Sequence, residues 1–158
     1  FGNTRAIAYV TKFSPLVLDM FNALSWFKKL SDQGDTPYKA ALSLINKTIT
    51  LDADYKTIKN PTWVILFMSD GMPTDYYKDR YHQVIDDTSL QSDVQAIAKL
   101  DQGRVSVNTI YYGPQNPEAS NRLKMMAQTG GGQFVDTNTT GLNIKIEDFM
   151  YVPGEPCK

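Results

Sequence analysis

The sequence predicts an α/β domain built on a doubly wound, mostly parallel sheet with helices on both faces. Three observations predict it. Apolar runs rich in β-branched and aromatic residues alternate with helical patterns of about three turns, as they do when crossover helices join parallel strands. One run, Trp63 to Met68, contains no polar residue, the pattern of a strand covered on both faces. The 158 residues, 42% hydrophobic and 21% charged, suit one globular domain. A chain of this size buries roughly two thirds of the surface its unfolded form exposes, so it has room for a true core.

Taken in order, Arg5 to Phe13 predicts a first strand, ended by Ser14-Pro15. Leu16 to Met20 returns as a short strand, and Phe21, Leu24, Phe27 and Leu30 at helical spacing predict a helix over about Ala23 to Leu30. Gly34-Asp35-Thr36-Pro37 breaks the chain and opens the next helix, since proline suits a first helical turn. Its expected buried stripe is Ala40, Ala41, Leu44 and Ile45. Leu51 to Pro61 has no period and reads as a loop. Thr62 to Met68 is the strand expected at the centre of the sheet, and Ser69 to Asp75 the loop after it. Ser89 to Leu100 predicts a helix on Leu90, Val94, Ile97 and Ala98. Arg104 to Tyr111 is a strand, and Pro117 to Thr129 a helix with Leu123, Met126 and Ala127 inward. Gly130-Gly131-Gly132 is its expected cap, and Gln133 to Val135 a short strand. Leu142 to Met150 is expected to form a last helix. The domain then spans 1–150, with a tail or linker over 151–158.

Sixteen Lys and Arg against seventeen Asp and Glu leave a formal charge of -1 and a pI near 5.8. Nucleic acid is therefore not the expected partner, because phosphate neutralisation calls for a basic face. The longest apolar stretch, Trp63 to Met68, is far below the ~20 residues of a membrane-spanning helix, so no membrane insertion is expected. Cys157, the only cysteine, has no internal disulfide partner and is expected on a frayed tail, the minority reading being a bridge to a cysteine outside these residues. His82 lies in a polar stretch among Tyr76, Tyr77, Tyr81, Asp79 and Arg80 with no nucleophile motif, and reads as a solvated loop residue. Asn46-Lys47-Thr48 and Asn138-Thr139-Thr140 match the glycosylation sequon. The triple glycine follows a helix and precedes a strand, the wrong order for a phosphate-binding loop.

In open α/β sheets ligands bind beyond the carboxyl ends of the strands, which directs attention to the loops after Phe13, Met68 and Tyr111. After the buried strand, Ser69-Asp70-Gly71-Met72-Pro73-Thr74-Asp75 presents a carboxylate at the sheet's rim; Gly34-Asp35-Thr36-Pro37 sets a hydroxyl before a helix N-terminus. Singly, each has a structural account: Asp70 satisfying amides in its turn, and Thr36 or Asp35 capping the helix.

Together, and in this order, the two motifs resemble the von Willebrand factor type A (VWA) domain family, a Rossmann-like fold that includes the inserted domains of integrins. Gly34-Asp35-Thr36-Pro37 followed by Ala40-Ala41-Leu42 is similar to the family's Gly-(Gly/Asn/Asp)-Thr segment and its helix. Trp63 to Thr74 is similar to its hydrophobic strand ending in (Thr/Ser)-Asp-Gly-x-Pro-Thr. Val105 to Gly113, then Leu123, Met126-Ala127, Thr129 to Gly132 and Phe134, resemble its closing pattern.

The resemblance implies a metal-ion-dependent adhesion site (MIDAS), with Thr36 giving a hydroxyl ligand, Asp70 a carboxylate, and Asp35 as a helper. Met72, Pro73 and Tyr112 are the expected rim contacts. Mg²⁺, with Mn²⁺ or Ca²⁺ as substitutes, suits such a donor set: a hard cation that keeps several waters and leaves a position for an acidic group of a protein partner. The family's Asp-x-Ser-x-Ser loop does not occur in this sequence, so metal binding is conditional on ligands from another segment. The expectation is of a fragment or processed form, opening at Phe1-Gly2 and lacking the family's first strand, which another segment or chain would supply. The implied function is non-enzymatic protein binding at an extracellular, cell-surface or periplasmic site. The alternatives are a cytoplasmic docking module of a larger assembly, or a small α/β hydrolase or phosphotransferase using Asp70.

Overall fold

Pro37 fixes the backbone just ahead of the first helix of the computed structural model, which describes residues 36–51, 61–79, 81, 84–141, 144 and 149. The expected elements over 5–30, Asp35, His82, Cys157, the loop over 52–60, nearly all of 142–150 and the tail over 151–158 lie outside the described residues. Helix α1, Tyr38–Leu51, buries Tyr38, Leu42 and Ile49, with Ala41 and Ile45 packed beside them. The expected stripe was rotated: Ala40 and Leu44 are only half-buried. Tyr38 sets the true face, because its ring meets Phe67 edge-on at 4.9 Å and anchors the first turn against the sheet.

Among the described residues the sheet has three parallel strands in the order β1 (Trp63–Ser69), β2 (Val105–Tyr111) and β3 (Gly131–Asp136). Helix α2, Asp87–Ala98, crosses from β1 to β2, and α3, Pro117–Thr129, from β2 to β3. This is the α/β, parallel, Rossmann-like class that the alternation of patterns predicts. Helix α2 starts two residues before its expected first residue because Asp86 caps it, accepting from the Ser89 amide at 3.1 Å and the Ser89 hydroxyl at 2.6 Å. Helix α3 has the expected limits: Asn116 accepts from the Glu118 and Ala119 amides, and Pro117 occupies its first position.

One hydrophobic core joins the layers. Phe67, Val105, Val107 and Tyr111 meet Tyr38, Leu42, Leu90, Val94, Ile97, Ala119, Leu123 and Met126, drawn from all three long helices. Full burial of each Leu or Val contributes roughly 1.5–3 kcal/mol. Strand order runs one way from β1 to β3, so right-handed crossovers deliver α2 and α3 to the same face, the one α1 also covers.

The expectation that Thr62–Met68 is covered on both faces needs correction, while its expected central place turns on strands over 5–20 that lie outside the described residues. Among the described residues β2 is central and β1 pairs with β2 alone, leaving Leu66 39% and Met68 53% exposed on the face turned from the helices. An apolar run shows that both faces of a strand are hydrophobic; it does not say what covers them.

The triple glycine has a packing role. Gly130 ends α3, its amide bonding the Met126 carbonyl at 2.8 Å, and β3 begins at Gly131 instead of Gln133. A Cβ on Gly132 would lie 2.3 Å from the Val107 carbonyl oxygen, which only glycine avoids at this β-bulge. Asn108 bridges the irregularity, accepting from the Gln133 amide at 2.8 Å and donating to the Ile65 carbonyl at 3.2 Å. Among the described residues no helix is long and apolar enough to cross a membrane.

Candidate functional site

Strands β1 and β2 end together, with Ser69 opposite Tyr111, so the loops that follow them emerge side by side at the carboxyl edge. Helix α1 begins at the same edge. The Thr36 amide donates to the Thr74 hydroxyl at 3.2 Å, and the Thr74 amide returns a bond to the Thr36 carbonyl at 3.0 Å. The Tyr38 hydroxyl donates to the Gly71 carbonyl at 2.9 Å. These bonds bring the two sequence motifs, separated by more than thirty residues, into one place.

The cap of α1 comes from Asp75. Its carboxylate accepts from the amides of Lys39 at 2.9 Å and Ala40 at 3.0 Å, satisfying two donors that a helix start leaves open. Thr36 is thereby released from capping. Its Oγ1 stands 3.3 Å from where a Cβ on Gly71 would lie, hence beside the backbone that follows Asp70. Asp70 is exposed at the end of β1. Among the described residues neither the Thr36 hydroxyl nor the Asp70 carboxylate has a hydrogen-bond or ion-pair partner.

The loop after β2 packs behind Asp70. The Tyr112 amide donates to the Ser69 carbonyl at 3.2 Å, the Tyr111 hydroxyl donates to the Pro114 carbonyl, and Asn138 Nδ2 donates to the Gly113 carbonyl at 3.0 Å. Asn138 belongs to a single helical turn, α4 (Thr137–Thr140), capped by Asp136, which also accepts from the Ser120 hydroxyl at 2.7 Å. The Nδ2 of this sequon also donates to Asp136 Oδ1 at 3.0 Å, so both of its hydrogens are engaged. Asn46, in the other sequon, is half-buried within α1.

The three expected rim residues differ. Tyr112 is 50% exposed at the edge. Met72 is half-buried, its sulfur 3.1 Å from the Arg122 guanidinium, which also bonds Asp87 at 2.7 Å. Pro73, within the loop, is buried.

The electrostatics set this edge apart. Burial is the main cause that pushes the Tyr38 phenol up to about 12, with the Asp70 charge adding to it and the Ser69 hydrogen bond opposing. Burial likewise raises Tyr111, helped by Asp136 and Asp70. Asp136 is also pushed up by burial, its largest single influence, but the bonds from Ser120 and Asn138 together outweigh it and hold the carboxyl below its ordinary range. At neutral pH the buried phenols are hydrogen-bonding posts, and Asp70 is the group that faces out.

Asp75, Tyr38 and Gly113 are site-building residues that the sequence did not single out, and Asn138 stood out there only as a sequon. Asp75 and Gly113 stood inside the quoted motifs, and a carboxylate that follows a strand-end turn is a ready cap for a neighbouring helix. Nothing in the sequence couples Asn138 to Gly113.

Thr36 and Asp70 supply hard oxygen donors, the kind Mg²⁺ takes. They fit a metal site in kind but not in number: among the described residues no three of His, Cys, Asp and Glu converge to hold an ion. No protein-family model, curated protein or solved structure matches the chain.

Proposed function

We propose that this edge is an adhesion-type binding site of the VWA kind, engaging an acidic residue of a protein partner through Mg²⁺ at an extracytoplasmic surface. One observation carries the reading. Within a loop whose neighbouring polar groups are committed to internal bonds, the Thr36 hydroxyl and the Asp70 carboxylate are brought to the same edge with no internal partner among the described residues. Asp70 is exposed, so its carboxylate is left to solvent at the same edge that Thr36, of a motif more than thirty residues away, reaches beside Gly71.

The topology lends further support. Among the described residues strand order never reverses from β1 to β3, so a doubly wound sheet would reverse on the far side of β1, and ligands bind at such reversals. Asp70 ends that strand. When bound, the ion would neutralise Asp70 and present an electrophilic position to a partner carboxylate. Thr36 and Asp70 would hold it from the protein side, and the remaining positions would be filled by water, by the partner and by oxygens of another segment. The Tyr38 bond to the Gly71 carbonyl fixes the turn that aims Asp70.

Calorimetry with Mn²⁺ and Mg²⁺ on the full-length protein tests the proposal. Saturable binding that Asp70→Ala abolishes, with the fold intact by circular dichroism, is the expected result. Absence of binding by the full-length wild type would overturn it.

A further inference from the structure

We infer that Gly113 is the positioning residue of Asp70: the loop after β2 is a rigid stop that fixes where the carboxylate stands. The inference rests on the proposed metal site for its function, though not for its geometry. A Cβ on Gly113 would lie 1.9 Å from the Asp70 carbonyl oxygen, 2.6 Å from its carbonyl carbon and 2.8 Å from its Cα. All three are backbone atoms, which cannot swing aside as the end of a side chain can. Positive φ is recorded at Gly103, Gly131 and Gly141 but not at Gly113, so backbone conformation does not call for glycine here. Space does: the residue is small so that Asp70 can rest against it.

The stop is held from behind. Tyr112 joins it to the Ser69 carbonyl, Tyr111 fastens Pro114, and Asn138 holds the Gly113 carbonyl itself. Asn138 is steadied by Asp136, and Asp136 by Ser120 of α3. A chain of polar contacts, half-buried at Gly113 and Ser120 and exposed at the Asn138–Asp136 link, thus runs from α3 to the back of Asp70. Ligand sites need their groups held within about 0.5 Å, and this chain is the means of doing so for a residue whose own side chain makes no hydrogen bond among the described residues.

Substitution of Gly113→Ala in the full-length protein tests this with two readouts. Amide NMR shifts report the Asp70 backbone without any metal: Asp70 and Gly71 are expected to move in Gly113→Ala and to stay in place in Gly132→Ala, an equally crowded glycine at the β-bulge. Mn²⁺ titration is expected to show a tenfold or greater loss of affinity in Gly113→Ala and no loss in Gly132→Ala. Unmoved Asp70 and Gly71 shifts in Gly113→Ala overturn the inference whatever the metal does. Moved shifts in a protein whose wild type binds no Mn²⁺ uphold the positioning role and overturn the metal reading. If Gly113→Ala does not fold, Asn138→Ala carries the same test, with a smaller shift at Asp70 and about threefold weaker Mn²⁺ binding expected.

Discussion

The loop that follows β1 carries an aspartate at each end, and the two are held in opposite ways. Asp75 is fixed by its side chain, whose two oxygens are spent on the first turn of α1. Asp70 is fixed by its backbone, with the Gly113 stop behind it, the Tyr38 hydroxyl on the next carbonyl, and the Gly71 amide on the Ser69 hydroxyl at 3.3 Å. Its carboxylate takes part in none of this. A residue held by its side chain contributes stability and is chemically used up. One held by its backbone is placed as firmly while its chemistry stays available, which is what a ligand site requires.

Alkaline pH should produce the largest effect on this arrangement, acting through Tyr38. Its phenol titrates near 10 in the unfolded chain and at about 12 in the folded one, mainly through burial. The folded state therefore holds a proton that the unfolded state has lost. The associated stability is complete below pH 10 and disappears as pH rises toward 12, a loss of about 2–3 kcal/mol. Tyr111 and Tyr76 are raised by burial as well, the latter with help from its 2.5 Å bond to Asp93, and they act in the same direction. Urea unfolding at pH 9 and at pH 11.5 should show this fall in the wild type and a shallower one in Tyr38→Phe. Equal slopes would remove Tyr38 as the post that holds the Asp70 end.

Next in size is the cap. Asp75→Ala leaves two amides of α1 without partners and should lower stability by about 1–2 kcal/mol, read as a lower urea midpoint at unchanged slope. Asp75→Asn keeps one acceptor oxygen and should recover part of the loss. If Asp75→Ala were neutral, the two aspartates would not differ in the way proposed.

Much of the fold was legible because it depends on local signals. Pro117 after Asn116 starts α3 where expected, and alternating β-branched residues define β2 to within one residue. The cover of β1 was not legible. The Trp63 to Met68 run fits a strand covered on both faces by hydropathy, yet what covers a face is chosen by topology, and Leu66 and Met68 are exposed on the face turned from the helices. The face of α1 was misjudged because Tyr38, polar at its tip, outweighs Ala40 and Leu44 once its ring packs on Phe67 and its hydroxyl finds Gly71. At the site, motif order suggested the meeting of Thr36 with Asp70. Which aspartate is used for structure was hidden, because capping of α1 by Asp75 spans 35 residues and leaves no local pattern.

The smallest expected change in stability belongs to the residue on which the proposed function most depends. Asp70→Asn preserves shape, removes one negative charge, and touches no hydrogen bond among the described residues. Its effect on unfolding should stay within about 0.5 kcal/mol, as for surface substitutions away from structural contacts. The lost charge also relieves a small influence that raises Tyr38 and Tyr111, so any shift should be toward slightly easier phenol ionisation. Mn²⁺ affinity, by contrast, should fall at least tenfold, since an amide oxygen replaces the carboxylate donor. Set beside Asp75→Asn, which should weaken the fold and spare the metal, the pair forms a crossed test. If both substitutions cost stability alone, Asp70 is one more structural turn residue, and the difference between the two ends of the loop carries no function.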